Sequence, residues 1–144
     1  LSISDTIYNC ILVGQTSRAA DLRTLFNVPD KRYWWLSIRA LAKMQRWDDL
    51  EKFSKQKKSP IGYRPFVEVC LEYDNYKVQA LKYIPKVTDA WEKVELYVAL
   101  LKFKEAIETA YAERNIEMLG YIRVKSNNPQ TRQTIESLIT KLGG

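Results

Sequence analysis

Pro29-Asp30-Lys31-Arg32-Tyr33-Trp34-Trp35-Leu36 starts a helix and crowds three aromatics and two cations into its first turns. Pro29 stops what precedes it, and the Asp30 carboxylate is placed to accept from the free N–H groups of the first turn. At about 100° per residue, Arg32, Trp35, Arg39, Lys43 and Arg46 fall along one stripe. Tyr33, Trp34, Ser37, Ile38 and Leu41 cover the opposite side. One face is therefore apolar and the other basic with a tryptophan in it. Two readings fit such a face: core tryptophans beside solvated cations, or a binding ridge of the Arg and Trp residues that dominate interface hot spots.

Outward from this stretch, apolar residues recur at helical spacing nearly throughout. Examples are Ile3, Ile7, Cys10, Ile11; Phe66, Val69, Cys70, Tyr73; Trp91, Val94, Val98, Leu101; and Ile135, Leu138, Ile139, Leu142. Sustained strand alternation is absent. Breaks at Gly14, Gly62, Pro60 and Pro85, a capping pair in Asp89 and Glu92, and Asn128-Pro129 before the last run divide the chain into about ten helices. They are expected over 3–13, 16–26, 30–44, 47–57, 64–74, 76–84, 89–101, 103–113, 115–125 and 129–142. Short connections make neighbours antiparallel. A loose repeat aligns Ala20, Leu50, Ala80 and Ala106 at equivalent points of each second helix. The expected fold class is all-α: an α-solenoid of about five stacked antiparallel helical hairpins, forming one domain over 1–144. The competing architecture is a compact orthogonal bundle.

At 144 residues, the chain can bury a core without staples. Cys10 and Cys70 lie among apolar neighbours, as buried thiols of a reduced compartment do, and a cytosolic location is expected. No apolar run reaches the ~20 residues that cross a bilayer. The start, Leu1-Ser2-Ile3-Ser4-Asp5, has neither an initiator Met nor a signal peptide's pattern, which reads as a fragment of a longer chain. Net charge is +6, divided as +4 over 1–46, −1 over 47–74 and +3 over 75–144. Such a field favours an acidic protein surface, anionic lipid or nucleic acid.

The chemistry of catalysis is poorly supplied. There is no histidine, the two cysteines have no close cysteine neighbour, and the five glycines form no phosphate-cradling loop. Asp48-Asp49 sits at a helix start, where the macrodipole favours negative charge. No catalytic, cofactor-binding or metal-ligating residue is assigned, and the protein is not expected to be an enzyme. Lys52, Lys55, Lys57 and Lys58, before Ser59-Pro60, suit a dipole-complementing helix end and equally suit anionic lipid or nucleic acid. Arg123 and Lys125 read as a helix end. Trp91, Tyr97, Tyr111 and Tyr121 lie on apolar stripes and read as core.

The segments PDKRYWWLSIRALAKMQRWDDLEKFSK and KKSPIGYRPFVEVC resemble the C-terminal region of the sixteenth vacuolar protein sorting subunit. That family is a core member of the HOPS and CORVET endolysosomal tethering complexes, and a paralogue in a separate trafficking complex lacks this wording. The resemblance runs over the whole chain, strongest at 28–72. It implies a non-catalytic scaffold, the end of a longer chain whose N-terminal β-propeller precedes an α-solenoid. It also implies a partner, a Sec/Munc-type (SM) SNARE-binding protein that is the thirty-third subunit of the series, together with other class C tethering subunits. The location implied is the cytosolic face of late endosome, lysosome or vacuole, with membrane contact indirect. The family's contact with the SM protein reaches the DKR position, so the implied partner-binding residues are Lys31, Arg32, Trp35, Arg39 and Lys43. Part of that contact region lies before Leu1. A nucleic-acid-binding helical-repeat module, resting on the basic balance and the aromatics, is the alternative reading.

Overall fold

The computed structural model describes residues 2–144, and nine α-helices occupy most of them. They are α1 (Ile3–Leu12), α2 (Thr16–Leu25), α3 (Asp30–Lys43), α4 (Trp47–Ser54), α5 (Arg64–Tyr73), α6 (Ala90–Ala99), α7 (Phe103–Ala112), α8 (Ile116–Lys125) and α9 (Pro129–Lys141). No strand occurs among the described residues, and helices pack on their sequence neighbours, the all-α solenoid manner of stacking. The contacts divide the chain into two units, residues 1–83 and 84–144. In the first, α1 packs on α2 and α3, and α3 on α4 and α5. In the second, α6 packs on α7 and α8, α7 on α8 and α9, and α8 on α9.

One stop signal closes α1, α2, α3, α6 and α7. A single residue turns into the left-handed region: Gly14 (φ 85°), Asn27 (51°), Gln45 (55°), Leu101 (60°) and Arg114 (52°). The next N–H then reaches back five residues to a carbonyl, as Gln15 to Cys10, Val28 to Arg23, Arg46 to Leu41, Lys102 to Tyr97 and Asn115 to Ala110. This is the Schellman arrangement, which satisfies the last carbonyls of a helix while reversing the chain. It also sets the true repeat. Five residues beyond Gly14, Gln45, Leu101 and Arg114 stand Ala19, Leu50, Ala106 and Leu119, all fully buried. The alignment through Ala20 is thus one residue out of phase, since Ala20 is exposed and Ala19 is the packed residue of α2.

The helix expected over 76–84 does not form. Asp74 is buried, and its carboxylate accepts from the N–H groups of Tyr76 (3.0 Å), Val78 (2.8 Å) and Gln79 (2.8 Å). The carboxylate closes an Asx turn in which Lys77 is left-handed, φ 56°, a conformation that a right-handed helix over 76–84 cannot contain. Two short 3-10 turns follow, Gln79–Lys82 and Ile84–Lys86. The third hairpin therefore pairs α5 with a 3-10 turn in place of a second helix. Ala80, expected in that helix, is nonetheless fully buried.

The other starts follow local chemistry. Asn128 Oδ1 accepts from the N–H groups of Gln130 (2.8 Å) and Thr131 (3.2 Å), with Pro129 in the first turn of α9. Asp89 caps α6 through the Trp91 N–H. Gly62 turns at φ 73° before Pro65 opens α5. Both cysteines are buried free thiols, and burial pushes the Cys70 thiol up to about 12. Among the aromatics read as core, Tyr97 is buried, and Trp91 is half-buried with its ring edge-on to Tyr121 at 5.9 Å. Tyr111 is a correction, being exposed on the outer side of α7.

Candidate partner-docking face

The position of α3 is set by its inner side. Trp34, Ser37, Ile38, Ala40, Leu41 and Ala42 are buried. The Trp34 indole, only 3% exposed, lies 4.3 Å from the Phe53 ring of α4 and 6.1 Å from Phe66 of α5. Burying one large ring against two others locks the rotation of the helix, because every alternative phase would expose it. Trp35 is then forced outward and is 38% exposed. Of the doubled tryptophan, the first is core and the second is surface.

Lys31, Arg32, Arg39 and Lys43 are all exposed, so the structure puts Arg32, Trp35, Arg39 and Lys43 on one outward side of α3 with Lys31 at its start. Among the described residues, no carboxylate forms an ion pair with any of these four cations. Arg39 has a neighbour of another kind: its guanidinium stands 5.7 Å from the Tyr8 ring centroid of α1. That contact steadies the middle of the stripe while leaving the guanidinium edge to solvent. Burial is the largest influence on the neighbouring Tyr73 hydroxyl, which it pushes above the ordinary phenol range.

Two members of the sequence pattern behave differently. Arg46 lies beyond the end of α3 and turns inward. Its Nε bonds Asp49 at 2.9 Å and its Nη1 donates to the Ile11 carbonyl at 3.2 Å, so it joins α1 to the α3–α4 turn and leaves the stripe. Asp30 makes no side-chain cap. It accepts instead from Arg23 of α2, at 2.7 Å, and from Lys57 of the loop between α4 and α5, at 2.5 Å. One carboxylate gathers the end of α2, the start of α3 and that loop. The Arg23 guanidinium also covers the Tyr33 ring at 5.2 Å, and burial raises the Tyr33 hydroxyl's affinity for its proton. Tyr8, Arg23 and the second role of Asp30 were not readable from the stretch, since each acts across a turn or between helices. The one local signal is the spacing of Arg23 and Asp30 about a helix stop.

The expected helix over 47–57 ends at Ser54, whose hydroxyl donates to the Glu51 carbonyl at 2.6 Å. Lys55, Lys57 and Lys58 accordingly stand on a loop, and Lys52 alone occupies the last turn of the helix. Lys55 and Lys82 both bond Glu51, at 2.9 and 3.1 Å, and those bonds hold the Glu51 carboxyl below its ordinary range. Among the described residues no group of His, Cys, Asp and Glu is arranged to hold a metal ion, and no helix is long and apolar enough to cross a membrane.

As a class, this is a helical-repeat protein of antiparallel pairs stacked on their sequence neighbours, carrying an unpaired cationic stripe on its third helix. A family model described as Vps16, C-terminal region, matches residues 1–141, and the chain belongs to that family. It is 46% identical over 142 residues to the vacuolar protein sorting-associated protein 16 homolog of Dictyostelium discoideum, covering 99% of this chain and 17% of that one. The protein of the same name from Drosophila melanogaster is 46% identical over 119 residues, covering 83% of this chain and 14% of its own. Protein VACUOLELESS1 of Arabidopsis thaliana is 49% identical over 109 residues, 76% of this chain and 13% of its own. The chain therefore spans about a sixth or less of the length of these relatives, whose names tie the family to vacuolar protein sorting.

Proposed function

We propose that this chain is a non-catalytic scaffold segment of an endolysosomal tethering subunit of the HOPS and CORVET type, and that α3 docks a Sec/Munc-type SNARE-binding protein. The observation that carries this reading is the exposed stripe of Arg32, Trp35, Arg39 and Lys43, whose cations lack carboxylate partners among the described residues. Unpaired Arg and Trp on a rotationally fixed helix are what an acidic, partly apolar partner surface recognises. Arg32 acts as the anchor, pairing with a partner carboxylate; Trp35 supplies apolar area, and Lys31, Arg39 and Lys43 add complementary charge. The mechanism is placement. The scaffold holds the SM protein where SNARE assembly takes place on the cytosolic side of late endosomes, lysosomes or vacuoles.

The test is capture of the cognate SM protein by this chain and by Arg32→Glu, with circular dichroism to show that both are helical. Binding lost with the fold retained is expected. Truncation of a desolvated Arg32 pair costs about 2–5 kcal/mol of binding, whereas a rim pair costs little and acts on the association rate. Equal capture by the two proteins would remove α3 from the interface.

A further inference from the structure

A second feature lies in the first unit, at the turn that leads into α3 and adjoins the start of the stripe. The turn between α2 and α3 carries Leu25 and Phe26 outward, 74% and 56% exposed. The turn is not loose: Asn27 is left-handed, Val28 is buried, and the Val28 N–H is bonded to the Arg23 carbonyl at 3.0 Å. The fold thus holds two large apolar side chains in water on a fixed projection, a costly arrangement that marks an interaction surface. Through the Lys57–Asp30–Arg23 contacts, the lysine-bearing loop is brought to the same end. Over residues 23–32 and 51–68 the sequence has eight Lys or Arg and three Asp or Glu; Asp30 pairs with Arg23 and Lys57, Glu51 with Lys55 and Glu68 with Arg64. Lys58, next to Pro60 on this loop, is exposed and forms no ion pair among the described residues.

We propose that this end is a docking surface for an anionic lipid bilayer, with Leu25 and Phe26 entering the headgroup layer and Lys58, on the loop that Lys57 ties to Asp30, lying against the lipid charges. Three properties favour a bilayer over an acidic protein. The apolar pair projects from the surface, whereas a protein hot spot more often fills or forms a pocket. Its charges are mainly lysines on an irregular loop, point charges on flexible stems that suit a diffuse negative surface better than a fixed carboxylate pair. The excess of charge, eight against three, is large where geometric complementarity is small. Weak insertion joined to a basic patch is the two-signal form of reversible membrane attachment.

The experiment is flotation of this chain with phosphatidylcholine vesicles, with and without phosphatidylserine, at low and high salt. Flotation with the phosphatidylserine vesicles alone, weakened by salt, is expected. Leu25→Ser with Phe26→Ser should lower partitioning about tenfold or more. Lys58→Gln should lower it roughly fivefold, the effect of one cation near an anionic surface. All three positions are exposed, so unchanged circular dichroism and melting temperature are expected and separate binding from folding. Equal flotation with both vesicle types, no flotation with either, or full flotation of the double serine variant would each overturn the proposal. If neither vesicle type is bound and the double variant loses capture of the SM protein, the projection belongs to that protein and the lipid assignment fails.

Discussion

The unit before Ile84 and the unit after it are filled by different kinds of side chain. In the first, rings run from helix to helix: Tyr33 to Phe53 (6.4 Å), Phe53 to Trp34 (4.3 Å), Trp34 to Phe66 (6.1 Å) and Phe66 to Tyr83 (5.3 Å). In the second, Val94, Leu119, Ile122 and Ile135 are fully buried beside Ala106 and Ala110. Fully buried alanines occur in both units, Ala19, Ala40, Ala42 and Ala80 in the first, so what sets the first apart is its chain of rings, whose shape fixes helix rotation. The rings around Trp34 fix the rotation of α3, and a helix so fixed presents one row of side chains reliably.

Removing the central ring should break this contrast most sharply. Trp34→Ala is expected to cost about 3–5 kcal/mol in denaturant unfolding, because it leaves a void between Phe53 and Phe66. A cost below about 1 kcal/mol would show that the rings are not what fixes α3.

The next effect is at the Asx turn. Burial pushes the Asp74 carboxyl up, but the bonds from the Gln79, Tyr76 and Val78 N–H groups outweigh it and hold the group below the ordinary carboxylate range. A folded value below the unfolded one, about 3.9, means that this stabilisation is complete above that value and is lost as pH falls through the folded value. Asp74→Ala should cost about 1–3 kcal/mol at neutral pH by removing the acceptor that holds the part-buried N–H groups of Tyr76, Val78 and Gln79. The variant's stability should also fall less steeply than the parent's in acid unfolding curves. Parallel curves would assign the acid sensitivity to other carboxylates.

The smallest effect lies in the second unit and has the opposite sign. Leu101 is left-handed, φ 60°, and 74% exposed. Leu101→Gly removes that steric conflict and should raise stability by up to about 1 kcal/mol in thermal melts. Gly14 already occupies the matching position in the first unit, so the substitution makes the two stops alike.

Helix periodicity was legible in the sequence because it depends on neighbours three and four residues apart. Nine of the ten expected helices form within a few residues of their expected bounds. The segment after Tyr73 misled because its apolar spacing resembles a helix, while the left-handed turn at Lys77, held around a single buried carboxylate upstream, breaks it. Spacing put Trp34 with Ile38 and Leu41 but left open which ring of the doubled tryptophan faces out; the contacts of Trp34 with Phe53 and Phe66 decide it. What Asp30 and Arg46 do does not follow from spacing. Each had a plausible local role, and each is taken by a partner on another helix or loop. The one-residue slip at Ala20 has a simpler origin: alanine stands at both 19 and 20, and only the turn at Gly14 decides which is packed.

The packing of each helix on the one or two before it has a kinetic consequence. Within either unit the contacts that close the core join elements adjacent or next-but-one in the chain, so little loop entropy is lost before packing begins. Such a chain can fold in the order in which it is synthesised: α1 and α2 pair through a three-residue turn, and α3 adds to α1 as it emerges. The ring cluster comes late in this order, because Phe53 and Phe66 must arrive before Trp34 is covered. Helix α3 therefore reaches its final rotation only once α5 is in place.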